Sequence, residues 1–247
     1  MIPLKSKEQI KMLCLSGEIL SRVMRRLKEI VKPGILTCEI DSLAESLILK
    51  ERAKPAFKGY KGFPSSVCTS VNEEIVHGIP GKRRLLDGDI IGIDLGIKYS
   101  GYFTDAAVTL PVGNINPQVK RLVEVSRMAL DEAIKEARIG NRLSDISSRI
   151  EDFVGENGFS VVRQFVGHGI GLSLHEEPEI PNFGKPHQGP VLENGMVFAI
   201  EPMINMGNWE AEILPNGWTA VTKDRLPSAH FEHTVAITEE GPKVLTN

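Results

Sequence analysis

From Ile91 to Ile97 the chain puts an apolar residue at every second position, while Gly92, Asp94 and Gly96 fill the places between. A period of two marks a strand with one buried face. A second run of this kind, FTDAAVTL, follows Lys98-Tyr99-Ser100-Gly101, so the segment predicts a hairpin. With Lys98 facing Gly101 across the turn, Asp94 sits directly opposite Asp105. Their Cβ atoms would then lie about 5 Å apart, a spacing at which like charges repel. The face of Ile91, Ile93, Leu95 and Ile97 is core; the other, with Phe103, Asp105 and Ala107, is an acidic floor of little bulk. Two readings fit the pair, a wet sheet face or a cation between the carboxylates.

Elsewhere the apolar period lengthens to that of a helix. IKMLCLSGEILSRVMRRLKEI, starting near Ser6, and VKPGILTCEIDSLAESLILKERA read as two helices joined at a glycine turn. VKRLVEVSRMALDEAIKEA and RIGNRLSDISSRIEDFVGENG repeat the arrangement, with Gly34, Ile40 and Leu47 matched by Gly140, Ile146 and Phe153. Two similar halves, about 6–112 and 116–240, within a single domain of residues 1–247 are expected.

Three further residues strengthen the cation reading. Glu201 ends the apolar run Met196-Val197-Phe198-Ala199-Ile200, and Glu232 lies in HFEHTVAIT on the face opposite Phe231, Val235 and Ile237. A carboxylate in such a strand is costly unless it is paired or bound to metal. His168 stands among Gly167, Gly169 and Gly171, where backbone can approach a site closely. One imidazole among four carboxylates is a hard, oxygen-rich donor set suited to manganese, iron or cobalt. His77, before a Gly-Ile-Pro turn, reads on its own as a surface residue. His175, seven residues after His168, would lie near any ion His168 holds.

A chain of 247 residues with 41% hydrophobic content can bury a substantial core. Its net charge of −3 leaves no overall basic footprint, so DNA is not an expected partner. The basic stretches SRVMRRLKEIVK and KERAKPAFKGYKG read as solvated faces, with a transient ribosome contact left open. Cys14, Cys38 and Cys68 form no CxxC pair and no complete disulfide set. No apolar stretch suits a signal peptide or a membrane span. The expectation is a cytoplasmic monomer.

The ligand spacings of 11, 63, 33 and 31 residues, with SVNEEIVHGIP, DLGIKYSGYFTDAA, VGHGIGLSLHEEP and FAIEPM in that order, resemble the methionine aminopeptidases over essentially the whole chain. The short gap before Glu232 and the early first helix resemble the bacterial-style type I branch, which has no N-terminal extension. The resemblance implies an α+β, pita-bread (creatinase/aminopeptidase) fold: pseudo-twofold halves and a curved, mainly antiparallel sheet flanked by helices. It implies two divalent ions, cobalt, manganese, iron or zinc. Asp94 would chelate one ion, Asp105 and Glu232 would bridge both, and His168 and Glu201 would complete the other. Glu201 would also act as a base, and His77 and His175 would contact the substrate, an N-terminal Met-Xaa peptide of a new protein with a small second residue.

The same resemblance points to Tyr60, Phe63, Cys68 and Trp218 as the methionine pocket; core or rim packing is the competing reading of Tyr60 and Trp218. Phe63 stands where tyrosine is common, Phe57 where cysteine is, and Leu174 where phenylalanine is. The rival functions are a proline-specific dipeptidase or aminopeptidase of the same fold, and a non-catalytic peptide- or ribosome-binding module. His187, His230 and His233 receive no role.

Overall fold

A computed structural model describes residues 2–247. Helix α1 (Lys7–Ile30) starts under a capping box: Ser6 Oγ accepts from the Gln9 N–H, and the Gln9 side chain accepts from the Ser6 N–H. Helix α2 is Thr37–Lys50, α3 is Pro117–Glu136 and α4 is Leu143–Glu156. Asn116 caps α3 through the Gln118 N–H, and Pro117 occupies a first-turn site where no N–H is needed.

The entries to α2 and α4 match in detail at positions 106 apart. Gly34 and Gly140 have φ of +98° and +92°, which glycine adopts without a Cβ penalty. The Leu36 N–H donates to the Glu39 carboxylate and the Arg142 N–H to that of Asp145, both at 2.7 Å. The Thr37 N–H reaches the Arg83 carbonyl and the Leu143 N–H that of Pro190, both at 3.0 Å.

The helix pairs cover one face of a nine-stranded, antiparallel sheet. Its central path runs through strands Ile90–Tyr99, Tyr102–Pro111, Glu232–Thr238, Val197–Ile200, Gly167–Gly169 and Glu176–Ile180. Ile19, Leu20, Val23 and Leu27 of α1 and Ile40, Ala44 and Ile48 of α2 pack on Ile91, Ile93, Leu95 and Ile97. Ala129 and Ala133 of α3 and Ile146 and Ile150 of α4 pack on Phe198, Ile200, Val235 and Ile237. Each large apolar side chain buried in this way contributes roughly 1.5–3 kcal/mol. The opposite face carries the acids.

The hairpin register differs from the expected one. Ser100 and Gly101, at φ of +49° and +93°, make a two-residue turn, so Tyr99 pairs with Tyr102. Positive φ at both central residues matches the twist of the flanking strands, which favours this tight turn over a longer one. Asp94 therefore faces Ala107, and Asp105 faces Gly96. The two aspartates are not directly opposed; they lie diagonally on the same face. Among the described residues no helix is long and apolar enough to cross a membrane, and Cys14, Cys38 and Cys68 are free.

Candidate metal centre

Ala107 is the pivot of the floor, because Asp94 pairs with it on one side and Glu232 on the other. Its methyl group leaves room for three carboxylates on a single face. Asp105 lies two residues along, where regular pairing of its strand with Glu232–Thr238 has stopped. Thr234 takes over there: its Oγ1 accepts from the Asp105 N–H at 2.9 Å and donates to the Asp105 carbonyl at 2.8 Å. The sheet continues through Val197–Ile200 to His168, which pairs with Ala199. A Cβ at Gly167 would lie 2.5 Å from the Ala199 carbonyl oxygen, so glycine permits this approach. Asp105, His168 and Glu232 each offer a ligand atom, and these atoms lie within 4.8 Å of one another.

The donor set fits a cation. Asp94 Oδ1, Asp105 Oδ1 and Glu232 Oε1 are sealed from solvent and have no hydrogen-bond partner, an arrangement too costly to persist without compensation. The His168 Nδ1–H donates to the Gly169 carbonyl at 2.9 Å, which leaves Nε2 as a lone pair, 3.5 Å from Glu201 Oε1.

Burial pushes Asp94, Glu201 and Glu232 well above the usual carboxylate range, and repulsion among the acids adds to it. Asp105 is raised by burial to about 7, against the lowering effect of hydrogen bonds to Asp94 and the Ala106 backbone. Burial pushes His168 down to about 4 and His230 to about 3. His175 is exposed as a residue, but its ring stacks in the site, and desolvation followed by His168, Lys61 and His77 pushes it down to about 3. These imidazoles are neutral at pH 7.

Over the floor stands a cavity of about 230 Å³ lined by all eleven residues singled out from the sequence, together with Phe57, Lys61 and Leu174. Tyr60 stacks on His175 at 5.2 Å, and its hydroxyl lies 3.0 Å from His175 Nδ1. Phe63 and Trp218 meet edge to face at 5.2 Å. Asn216 Oδ1 holds the Trp218 turn by accepting from the Trp218 and Thr219 N–H groups at 3.0 Å. His77 stands edge-on to Phe165 at 5.6 Å. Cys68 pairs with Asp94, and burial keeps its thiol protonated. Phe57 packs so closely that a Cβ on Gly96 would lie 2.6 Å from its ring.

The loop bearing His175 is fixed from a distance. Lys5, with a side chain only 1% exposed, pairs with Glu176 at 2.5 Å. The other Glu176 oxygen accepts from the Leu172 and Ser173 N–H groups at 2.6 and 3.0 Å.

Three residues near the site were not singled out from the sequence. Lys61 and Phe165 had no signal beyond their neighbours. His230 had one: it stands two residues before Glu232, the spacing of a shared strand face. Its Nε2 is 3.7 Å from Glu201 Oε2.

The description metallopeptidase family M24 matches residues 12–239. The chain is 51% identical over 246 residues to methionine aminopeptidase 1 of Bacillus subtilis, covering all of this chain and 99% of that one. The crystal structure of a methionine aminopeptidase from Thermotoga maritima superposes with a TM-score of 0.98 at 44% identity, covering both chains fully. The prolidase from Pyrococcus furiosus shares the fold at a TM-score of 0.81 and 27% identity, but the match covers 99% of this chain and only 65% of the prolidase. The fold is thus the pita-bread fold, and the chain belongs to metallopeptidase family M24 and, within it, to the methionine aminopeptidases.

Proposed function

We propose that this chain releases the initiator methionine from new proteins whose second residue is small, using two divalent ions of cobalt, manganese, iron or zinc. One observation carries the reading: orphaned carboxylate oxygens and an aromatic wall share one cavity of about 230 Å³. A hydrolytic floor and a slot for a single apolar side chain therefore meet. When bound, the ions would polarise the scissile carbonyl and make a water nucleophilic near neutral pH.

The protein's own groups supply the rest. Asp94 would serve one ion, His168 and Glu201 the other, and Asp105 and Glu232 would be shared between them. Glu201 takes the proton from the attacking water. With the Tyr60 hydroxyl as donor to His175 Nδ1, 3.0 Å away, the ring keeps Nε2–H as a neutral donor to the developing oxyanion. His77 steadies the scissile amide. Tyr60, Phe63, Cys68 and Trp218 enclose the thioether, whose contacts with aromatic rings contribute ~0.3–1.5 kcal/mol. The reading carries with it a monomer working in the cytoplasm, with a transient ribosome contact left open and no part for DNA or a membrane.

Cleavage of Met-Ala-Ser and of Xaa-Pro dipeptides after loading with manganese, iron or cobalt tests it. Release of methionine from Met-Ala-Ser is expected; turnover of Xaa-Pro alone, or none, overturns it.

A further inference from the structure

One buried imidazole has no part in that scheme. His230 ends the strand Ser228–His230 and is 3% exposed. Its backbone is clamped on both sides by one hydroxyl: the His230 N–H donates to Thr109 Oγ1, and the same Oγ1 donates to the His230 carbonyl, both at 2.9 Å. Pairing of His230 with Met203 sets the ring beside the segment that follows Glu201. Its Nε2 is buried and without a hydrogen-bond partner, and Glu201 Oε2 is 3.7 Å away.

Glu201 thus stands between two imidazoles, one for each oxygen. On the Oε1 side the His168 tautomer is fixed by the Gly169 carbonyl, and its Nε2 presents a lone pair. Two lone-pair donors facing each other leave a place for a cation. On the Oε2 side no backbone carbonyl dictates such a choice. An ionised carboxylate only accepts hydrogen bonds, so a lone pair aimed at it repels and an N–H attracts. A closing movement of about half an ångström brings Nε2 and Oε2 into hydrogen-bond range.

We propose that His230, as its Nε2–H tautomer, is a positioning residue that tethers Glu201 by Oε2 and so turns Oε1 toward the cation site and the reacting water. This rests on the reading of Glu201 as ligand and base. It acts through Glu201 and touches neither substrate nor ion. Its purpose is orientation, because a base free to rotate about its last bond spends much of its time pointing away from the proton it must take.

The test uses the full, metal-loaded chain and compares His230→Gln, which keeps an N–H donor, with His230→Leu, which keeps bulk and loses the donor. A hydrogen bond to a charged group is worth enough to alter the rate about 10- to 100-fold. His230→Leu is expected to lower kcat by that factor with KM within about twofold of wild type, and His230→Gln to recover most of kcat. Nitrogen NMR of ¹⁵N-histidine-labelled wild type should show a protonated Nε2 on His230, which decides the matter even if a variant misfolds. A wild-type kcat in His230→Leu, no recovery in His230→Gln, or an unprotonated Nε2 overturns the proposal. Failure of the wild type to release methionine would overturn the functional reading instead, and leaves the NMR result to judge the tether.

Discussion

Along the floor of the cavity three buried carboxylate oxygens, on Asp94, Asp105 and Glu232, have no partner. At the rim the rings are matched: Tyr60 with His175, Phe63 with Trp218, His77 with Phe165. Both regions line one cavity, yet they are stabilised by different means. The rim is complete from the protein's own atoms. The floor gathers acids in a buried place with oxygens left unpaired, and in the proposed reading a cation completes it. Metal, and pH above about 6.5, should therefore act on the floor and leave the rim alone.

The largest effect expected from that difference is at Asp105. Asp105→Asn keeps the shape but removes a charge, and should lower methionine release more than about 1,000-fold. The metal-free variant should nevertheless unfold at a higher temperature than metal-free wild type at pH 8, because less charge is crowded there. A lower unfolding temperature would show that the floor is not strained by its charge.

The pH dependence of the metal-free chain comes next. A carboxyl whose folded pKa is raised binds more protons folded than unfolded, so stability falls as pH rises through the folded value. Asp105 does this from its ordinary value of 3.8 up to about 7, and Asp94, Glu201 and Glu232, raised well above their ordinary values, act in the same direction. His168, His175 and His230 are lowered, so they add stability as pH rises toward 6.5 and nothing beyond it. Between pH 6.5 and 8 the metal-free chain should lose stability in thermal unfolding. Saturating manganese should remove that slope and stabilise by about 2.7 kcal/mol at one hundred times the dissociation constant. An identical slope with and without metal would refute a cation-dependent floor.

At the rim, Trp218→Ala should raise KM about tenfold with unchanged metal affinity, since it removes a wall and no ligand. Metal loss in step with KM would merge the two regions into one. The smallest effect is expected from Tyr60→Phe, which deletes a single hydrogen bond to His175 and should lower kcat about three- to tenfold.

The same division governs how much the sequence revealed. The floor lies on regular strands, where a period of two tells which side chains share a face, so the joint placement of Asp94 and Asp105 was legible before any coordinates. Their register was not: the direct opposition expected from the sequence gives way to a diagonal placement because Ser100 accepts a left-handed φ of +49°, which no hydrophobic pattern reports. The four helices were legible from periodicity and the glycine turns between them. The rim was not legible from the residues themselves. Tyr60 sits between Gly59 and Lys61 in a turn with φ of +84° and +48°, and Trp218 follows an Asn216 turn. Irregular backbone carries no period, and only the resemblance to the methionine aminopeptidases brought these residues together. His230 escaped for a third reason: its nearness to Glu201 follows from pairing with Met203 in a separate three-stranded sheet, a contact that no period reports.

The pairing of Lys5 with Glu176 bears on the order in which the molecule assembles. These residues are 171 positions apart, whereas Asp94 and Asp105 lie on one hairpin. Contacts between distant parts of a chain carry the larger loop-closure entropy and form late. A partly folded chain therefore has its first two acids in place while the loop of His175 still waits for the N-terminal segment to dock. Peptidase competence is tied to the end of folding, and a chain stalled on the way holds the beginnings of an ion site without a finished cleft.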